Sequence, residues 1–560
     1  MKFISRTAIA LMVVFLSDLS ALSQIGSGAA LSFDGQNDYV EIRDHSSLNA
    51  RNSMTAEAWV FANSFGSNIY SNSILCKHNW ASGNKGYVLR CGNRGNVSFI
   101  ISGRSSGGTW EEANSTSSPM DLKKWYHVAG VFDGDSVKVY LNGVLQASHS
   151  YSGQIDVSSG ANARIGQLST GTGRNFDGMI DDVRLWDTAL DSRTLKTWMC
   201  QKVDSGHKFF NRLQAHWSMD EQKGTTTKDI SNNSNAGSLN GPYWRGSGAP
   251  IGDKSVFTYG QKNLKLGTQF GDTARVYNYS GSPSYVHLFE IQGKSVYNMD
   301  PNVNAFVDSS HYFGVYVPEV SGVDVDLSID YSKYSDITTQ NECSVDLYRR
   351  YSGDSSYWTA FGAKLSINGD SIYASNRNFE EFALVYYPKD SSKFISTSSG
   401  KPWFCKGDSV RIIAGGNKEF TYEWYKDGVK ISGVSSRFIY ASATGKYQVK
   451  AVRKGTSCKY VSSELSILER KLPTVSFSAI SPVCESVDTV ILKGEQPRGG
   501  YFYGPAVSDS FFFASAMGAG KYDLFYKYTD TALCSAVDTQ TITVWSLPKL
   551  NLNRSIWTCD

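Results

Sequence analysis

The side chains able to do chemistry in this 560-residue chain are adjacent carboxylate pairs, one serine motif, a few loop aromatics and nine cysteines. Glycoside hydrolysis needs two carboxyl groups across a sugar bond, about 5–10 Å apart. On a strand only residues i, i+2 and i+4 share a face. Glu111-Glu112 and Asp181-Asp182 are adjacent, so a strand would send each pair to opposite faces. Gly103-Arg-Ser-Ser-Gly107 matches the G-x-S-x-G of a nucleophile elbow. That motif works only between a strand and a helix, with a triad histidine. Here the expected strand Val97–Ile101 enters a Gly/Ser loop with no helix after it. The eight histidines show no metal-ligand spacing. The reading is therefore not an enzyme. Tyr70, Trp80 and Trp110 lie in stretches rich in Asn, Ser and Gly. Such a rim offers a sugar ring an aromatic face with amide and hydroxyl partners. The same rings can equally be packing within their loops.

The elements that would position these residues are strands. Aromatic residues make up 13% of the chain and charged residues 19%, a globular β-rich composition and not a disordered one. The net charge of +3 supplies no basic field for nucleic acid or anionic lipid. Val137–Leu141 alternates in polarity, Asn142-Gly143 reads as a type I′ turn, and Val144-Leu145 returns. One helix is expected, Ser192–Met199, capped by Asp191, with Leu195, Trp198 and Met199 on one face. Strands with a lone late helix argue a sandwich. Phe33, Tyr39, Val40, Trp59, Trp125, Val139, Leu141, Val183, Leu185 and Trp186 are expected to fill the space between two sheets.

At the N-terminus, Lys2 and Arg6 precede the apolar run Ala8–Leu16, which is too short to span a bilayer. Residues 1–23 read as a signal peptide cleaved before Gln24, with no membrane span after cleavage. The expected location is secreted or cell surface, where cysteines oxidise.

Five ordered motifs resemble the LamG-like jelly roll of the concanavalin A/pentraxin superfamily. They are Ala30–Val40 around Phe33-Asp-Gly, Met54–Val60, Trp125–Val131, Val139-Tyr-Leu-Asn-Gly143 and Phe176–Trp186. The domain is taken as 24–246, including the stretch around Gln214-Ala-His-Trp217. The resemblance implies two packed sheets and, in many relatives, calcium, which takes six to eight oxygen ligands. Asp34 and Asp182 lie on strands that the family fold pairs, with Asp38 nearby, so these three are the candidate calcium ligands. The alternative is that Asp34 and Asp38 cap the turn at Gly35. No organic cofactor is implied. The Glu-x-Asp-x-x-Glu of laminarinase-type relatives is absent.

Residues 250–392 are expected to form a second β-sandwich of no recognised family. Residues 394–470 and 473–547 form a repeat that resembles immunoglobulin-like modules of bacterial surface proteins, with Trp424 as a core tryptophan. Matching positions within each repeat predict Cys405–Cys458 and Cys484–Cys534. Neighbouring strands around a loop predict Cys76–Cys91. Cys200 and Cys343 show no evident partner. Pro548 precedes Cys559 as Pro473 precedes Cys484, so 548–560 reads as the start of a truncated third repeat with Cys559 unpaired and exposed.

The fold expectation is all-β throughout. The functional expectation is a non-catalytic recognition or adhesion protein whose LamG-like head binds an extracellular glycan or surface glycoprotein. The alternatives are accessory modules of a larger polysaccharide-degrading enzyme, and a structural spacer.

Overall fold

The computed structural model describes residues 28–79, 83–115, 120–157, 160–169, 173–293, 295, 305–318, 323–339, 341–350, 357–360, 362–377, 381–387, 394–416 and 418–549. The expected signal peptide, residues 1–23, Trp80 and Cys559 lie outside them. The described chain is all β apart from one α-helix and short 3-10 turns. Among the described residues no helix is long and apolar enough to cross a membrane.

The N-terminal strands are β1 (Ala29–Asp34), β2 (Tyr39–Ile42), β3 (Met54–Ala62), β4 (Ser73–Asn79), β5 (Lys85–Cys91) and β6 (Val97–Gly103). Then come β7 (Thr109–Asn114), β8 (Trp125–Phe132), β9 (Ser136–Leu141), β10 (Val144–Ser150), β11 (Ala163–Ile165) and β12 (Asp177–Trp186). Helix α1 (Ser192–Trp198) follows, then β13 (Leu213–Trp217), β14 (Thr226–Thr227), β15 (Gly237–Asn240) and β16 (Tyr243–Gly246). One sheet runs β10-β9-β8-β3-β12-β1-β16, with β13 beside β12. The other runs β14-β15-β2-β11-β4-β5-β6-β7. The β9–β10 turn has φ of 51° at Asn142 and 67° at Gly143, the positive values a type I′ turn requires. The Asp191 side chain accepts from Thr194 N at 2.7 Å and caps α1.

Phe33, Val40, Val139, Leu141, Val183 and Leu185 fill the space between the sheets as expected. Trp59 and Trp186 do not. Strand alternation sends Ala58 and Val60 inward, so Trp59 points outward. It is nonetheless fully buried, with its ring 5.4 Å from that of Tyr316, edge to face. Trp186 packs instead with Leu190, Leu195 and Leu213, in a cluster that includes the helix. Tyr39 and Trp125 are only half buried.

Buried with Trp59 is a polar network that the sequence reading missed. Glu57 accepts from Trp186 Nε1 at 2.8 Å and lies 3.2 Å from His127 Nε2. Asp182 pairs with Arg184 and, at 2.6 Å, with His216 Nε2. Burial opposes ionisation of Asp182, but Arg184 and His216 hold its pKa down at about 2. Such groups are tolerated in an interior only when paired.

Two further sheets follow. One orders Lys254–Tyr259, Tyr285–Gln292, His311–Tyr316, Glu381–Tyr386, Val345–Arg350 and Thr359–Ala360, with Phe306–Val307 beside Glu381–Tyr386. The other orders Leu264–Gly267, Thr273–Ser280, Asp324–Asp330, Ser371–Arg377 and Lys364–Ser366. Tyr285 donates its hydroxyl to Asn142 O at 2.5 Å, joining this region to the β9–β10 turn.

The chain divides into two compact units. The first runs to Asp390 and takes in Gly415–Phe420 and Val452–Cys458. The second holds most of two successive modules. In the first module Trp403–Cys405 lies parallel to Leu465–Arg470, with Cys405 opposite Arg470. In the second, Val483–Cys484 lies parallel to Ser535–Trp545, with Cys484 opposite Trp545. Trp424 is buried and donates Nε1 to Ser436 O at 2.8 Å.

The disulfides correct the expected pairing. Cys343 bonds Cys458 and Cys405 bonds Cys534. Cys76, Cys91, Cys200 and Cys484 are free. Cys405 sits at the end of its module near Gly445, since Gly445 pairs with Ile467. Cys458 lies past Arg453, at the far end of that strand. Eight residues of strand separate those ends, about 26 Å, whereas a disulfide needs Cα atoms within about 7 Å. The same argument separates Cys484 from Cys534, across Gly520–Thr529. For Cys76 and Cys91 the obstacle is parity. Cys76 pairs with Val88, so Cys91, three residues on, faces the other side. Cys91 is in the core between the sheets, whereas Cys76 packs with Val88 and Ile100 on the outer face.

Candidate functional site

The outer face of the second N-terminal sheet carries the polar and aromatic groups best suited to a ligand. Register and alternation place Tyr39 and Glu41 of β2, Arg164 of β11, Cys76 and His78 of β4, and Val88 and Arg90 of β5 on that face. Ser98 and Ile100 of β6 and Trp110 and Glu112 of β7 continue it. The segment after β11 supplies Gln167, Leu168, Ser169 and Arg174.

Arg90 donates through Nε to Ser98 Oγ at 2.9 Å and through Nη2 to Glu112 Oε1 at 2.6 Å. Its guanidinium carbon lies 4.8 Å from the centre of the Tyr70 ring. Arg174 approaches the same ring at 5.2 Å. Tyr70 is 44% exposed, so an aromatic group open to solvent is flanked by two cations. Arg164 lies over the Tyr39 ring at 4.1 Å. It also donates to Glu41 Oε1 at 3.2 Å and to Gln167 Oε1 at 2.6 Å. Gln167 in turn donates to Asn175 Oδ1 at 2.8 Å.

The electrostatics follow the arginines. Burial, and then Arg174, Arg164 and Arg90, hold the His78 pKa down at about 4. Its ring Nδ1 lies 2.7 Å from Ser169 Oγ. Burial and the adjacent Arg90 lower Arg174 from the usual guanidinium range. Burial pushes the Cys76 thiol up to about 12, so it is no nucleophile at neutral pH.

Of the aromatics expected at a rim, Tyr70 is at this face and exposed. Trp110 is half buried against Cys76, Val88, Ile100 and Leu168, and Trp80 lies outside the described residues. The arginines were missed. Arg90 and Arg164 sit at alternate positions of short apolar strands, and that alternation was the available signal.

Asp34, Asp38 and Asp182 do not converge. Asp34 faces Asp177 across β1–β12, and Asp182 is five residues further along β12, about 16 Å. Asp34 Oδ1 accepts from Gln36 N at 2.8 Å and Asn37 N at 3.2 Å. Asp38 Oδ2 accepts from Asp34 N at 2.9 Å. These are turn-capping bonds. Among the described residues no group of three or more His, Cys, Asp or Glu side chains is placed to hold a metal.

The adjacent carboxylates diverge as alternation requires. Glu112 meets Arg90, whereas Glu111 meets His149 Nε2 at 2.8 Å. Gly103–Gly107 leads from β6 through a turn into β7, with no helix.

Residues 34–196 match the family model of the Concanavalin A-like lectin/glucanases superfamily. The N-terminal domain is a concanavalin A-like, LamG-type domain. It is similar to a putative carbohydrate binding protein from Bacteroides ovatus, at 24% identity. That match covers 41% of this chain and 63% of the other, with a TM-score of 0.32. Domain 4 of a GH43 extracellular arabinanase from Geobacillus stearothermophilus, in complex with arabinotriose, is 21% identical. There the match covers 30% of this chain and 74% of the other, at a TM-score of 0.24. A CBM40 of a Ruminococcus gnavus sialidase, bound to sialyllactose, is 15% identical over 30% of this chain and 95% of its own, at 0.25. No curated protein matches the chain. The modules after the LamG-type domain are β-sheet domains.

Proposed function

We propose that the LamG-type domain binds glycan on the outer face of its second sheet, with a preference for acidic sugars. The observation that carries this is the exposed Tyr70 ring between Arg90 and Arg174. A pyranose ring stacks its C–H face on an aromatic side chain, and guanidinium and amide groups at the edge take its hydroxyls. The acidic preference rests on charge. Arg90, Arg164 and Arg174 gather on this one face, with Arg90 paired to Glu112 and Arg164 to Glu41. A sugar carboxylate or sulfate beside Arg174 would relieve its repulsion by Arg90 and form a charge-assisted pair.

The chain acts, in this reading, as a non-catalytic extracellular recognition protein. Two disulfides suit an oxidising destination. The divergence of Glu111 from Glu112 supports recognition over hydrolysis.

Calorimetric titration of the full chain with neutral, uronic-acid and sulfated oligosaccharides tests the proposal. Binding to an acidic member, weakened by Tyr70→Ala and Arg174→Ala, is the expected result. Failure of every oligosaccharide to bind, or undiminished binding by both variants, overturns it.

A further inference from the structure

Each module carries one cysteine at either end, and the two ends do different things. The near-end cysteine ends a short strand parallel to the module's last strand. In the first module this is Cys405, where Lys406 N donates to Arg470 O and Asp408 N to Cys405 O. In the second it is Cys484, where Glu485 N donates to Trp545 O and Val487 N to Cys484 O. The far-end cysteine closes the turn after a long hairpin strand, Gly445–Arg453 in the first module and Gly520–Thr529 in the second. Arg453 N donates to Cys458 O at 3.0 Å, and Asp530 N to Cys534 O at 2.9 Å. Cys405 and Cys484 are thus one position in two copies, and so are Cys458 and Cys534.

The bonds follow a single rule. Each far-end cysteine bridges backward: Cys458 to Cys343, in the region before the first module, and Cys534 to Cys405 of the preceding module. The first near-end cysteine, Cys405, is therefore bonded forward. Its equivalent, Cys484, is free and exposed. Beside it the surface is apolar. Trp545, directly opposite Cys484 in register, is 59% exposed, and Leu547 is 52% exposed.

We propose that Cys484 is a covalent docking site for another module of the same kind, joined through that module's far-end cysteine, with Trp545 and Leu547 covered by the incoming hairpin turn. The occupied copy, Cys405, shows what the partner presents: a cysteine closing an Asp-capped turn, since Asp530 Oδ1 accepts from Cys534 N at 2.8 Å. At the first junction Trp403 Nε1 reaches that turn, donating to Ala532 O at 3.4 Å. At the second, Trp545 stands opposite the near-end cysteine where the first module has Arg470. The bond forms by thiol–disulfide exchange with a disulfide oxidant such as oxidised glutathione. Two protein thiols lose two electrons and two protons, one protein S–S bond forms, and the oxidant's S–S bond breaks to give two thiols.

The test uses full-length chains. A Cys405→Ser, Cys484→Ser double variant leaves Cys534 free and serves as donor. The wild-type chain serves as acceptor, in a buffer of reduced and oxidised glutathione. The expected product is a dithiothreitol-sensitive heterodimer whose non-reduced peptide map shows Cys484 linked to Cys534. It is expected to fall at least tenfold when the acceptor carries Cys484→Ser. A map showing Cys484 joined only to glutathione, or Cys534 spread evenly over other cysteines, overturns the proposal. Because the donor lacks a disulfide, a second measurement uses the wild-type chain alone. Under native conditions a bulky maleimide should label Cys484 and spare Cys76, Cys91 and Cys200. A Cys484 that is unreactive, or bonded to Cys559, overturns the proposal regardless of the donor's fold.

Discussion

Arg90 and Glu112 form an ion pair that reaches over β6, at 2.6 Å, with the arginine side chain 1% exposed and the glutamate 24%. The carboxylate can still reach water, so the pair does more to fix the guanidinium than to stabilise the fold. Fixed there, Arg90 lies against the Tyr70 ring.

Tyr70→Ala is therefore expected to weaken binding of an acidic oligosaccharide by about tenfold, corresponding to roughly 1.4 kcal/mol. Its effect on stability should be within about 0.5 kcal/mol, as for an exposed surface site. Titration calorimetry and thermal unfolding of the same sample check both. A large loss of melting temperature would mean that the ring packs its loop and is not a ligand platform.

Arg90→Ala should differ from Tyr70→Ala by lowering stability as well. It removes a buried guanidinium, leaving Ser98 and Glu112 without their donor, at a cost of about 1–3 kcal/mol. Arg90→Lys restores charge but not the two-pronged geometry, and is expected to regain stability more fully than binding. Denaturant titration alongside calorimetry separates the two.

His78 gives the domain a defined acid lability. Its folded pKa is about 4, against 6.5 for an ordinary imidazole. Between those values the unfolded chain binds the extra proton, so stability rises with pH there. It is fully present above about pH 6.5 and lost as pH falls toward 4, by up to about 3 kcal/mol. Asp220 has the opposite sign. Burial raises it to about 6, so protonation below pH 6 favours the fold. Urea unfolding from pH 4 to 8 should show a shallower slope for His78→Gln and a steeper one for Asp220→Asn. Unchanged slopes in both would dismiss the assignment.

Local rules carried most of what the sequence foretold. The Asn142-Gly143 turn, the Asp191 cap and the inward alternation of Val139 and Leu141 depend on neighbours in the chain. Trp59 shows where local rules stop. Its position marks it as outward-facing, and distant groups cover it: Met199, whose carbonyl accepts from its Nε1, and Tyr316, more than 250 residues later. The same applies to Glu57 and Arg184, which look like surface charges until the covering elements are known. For the site, aromatic residues in polar loops pointed to Tyr70. Its cationic flank comes from β5 and from the segment before β12, which only the sheet order brings together.

Calcium should not contribute through Asp34 and Asp182, because the two are far apart and already engaged. Chelation is expected to leave the melting temperature unchanged. Asp34→Ala should cost about 1 kcal/mol, as loss of a capping side chain does. A chelator-induced drop abolished by Asp34→Ala would reverse this conclusion.

Cysteine pairing is the most direct test of how the modules are joined. Non-reduced peptide mapping should recover Cys343–Cys458 and Cys405–Cys534, and neither Cys405–Cys458 nor Cys484–Cys534. The bonds span 115 and 129 residues. In the chain-entropy treatment loops of that size stabilise by about 5 kcal/mol each, less any native strain. Cys405–Cys534 holds the second module to the first, so breaking it should unfasten that junction before it unfolds a sheet. Cys534→Ser is accordingly expected to raise proteolytic cleavage between 470 and 476 while the antiparallel strands Gly520–Thr529 and Ser535–Trp545 keep their slow amide exchange. Loss of protection throughout both strands would instead show that the bond is needed for the module itself to fold.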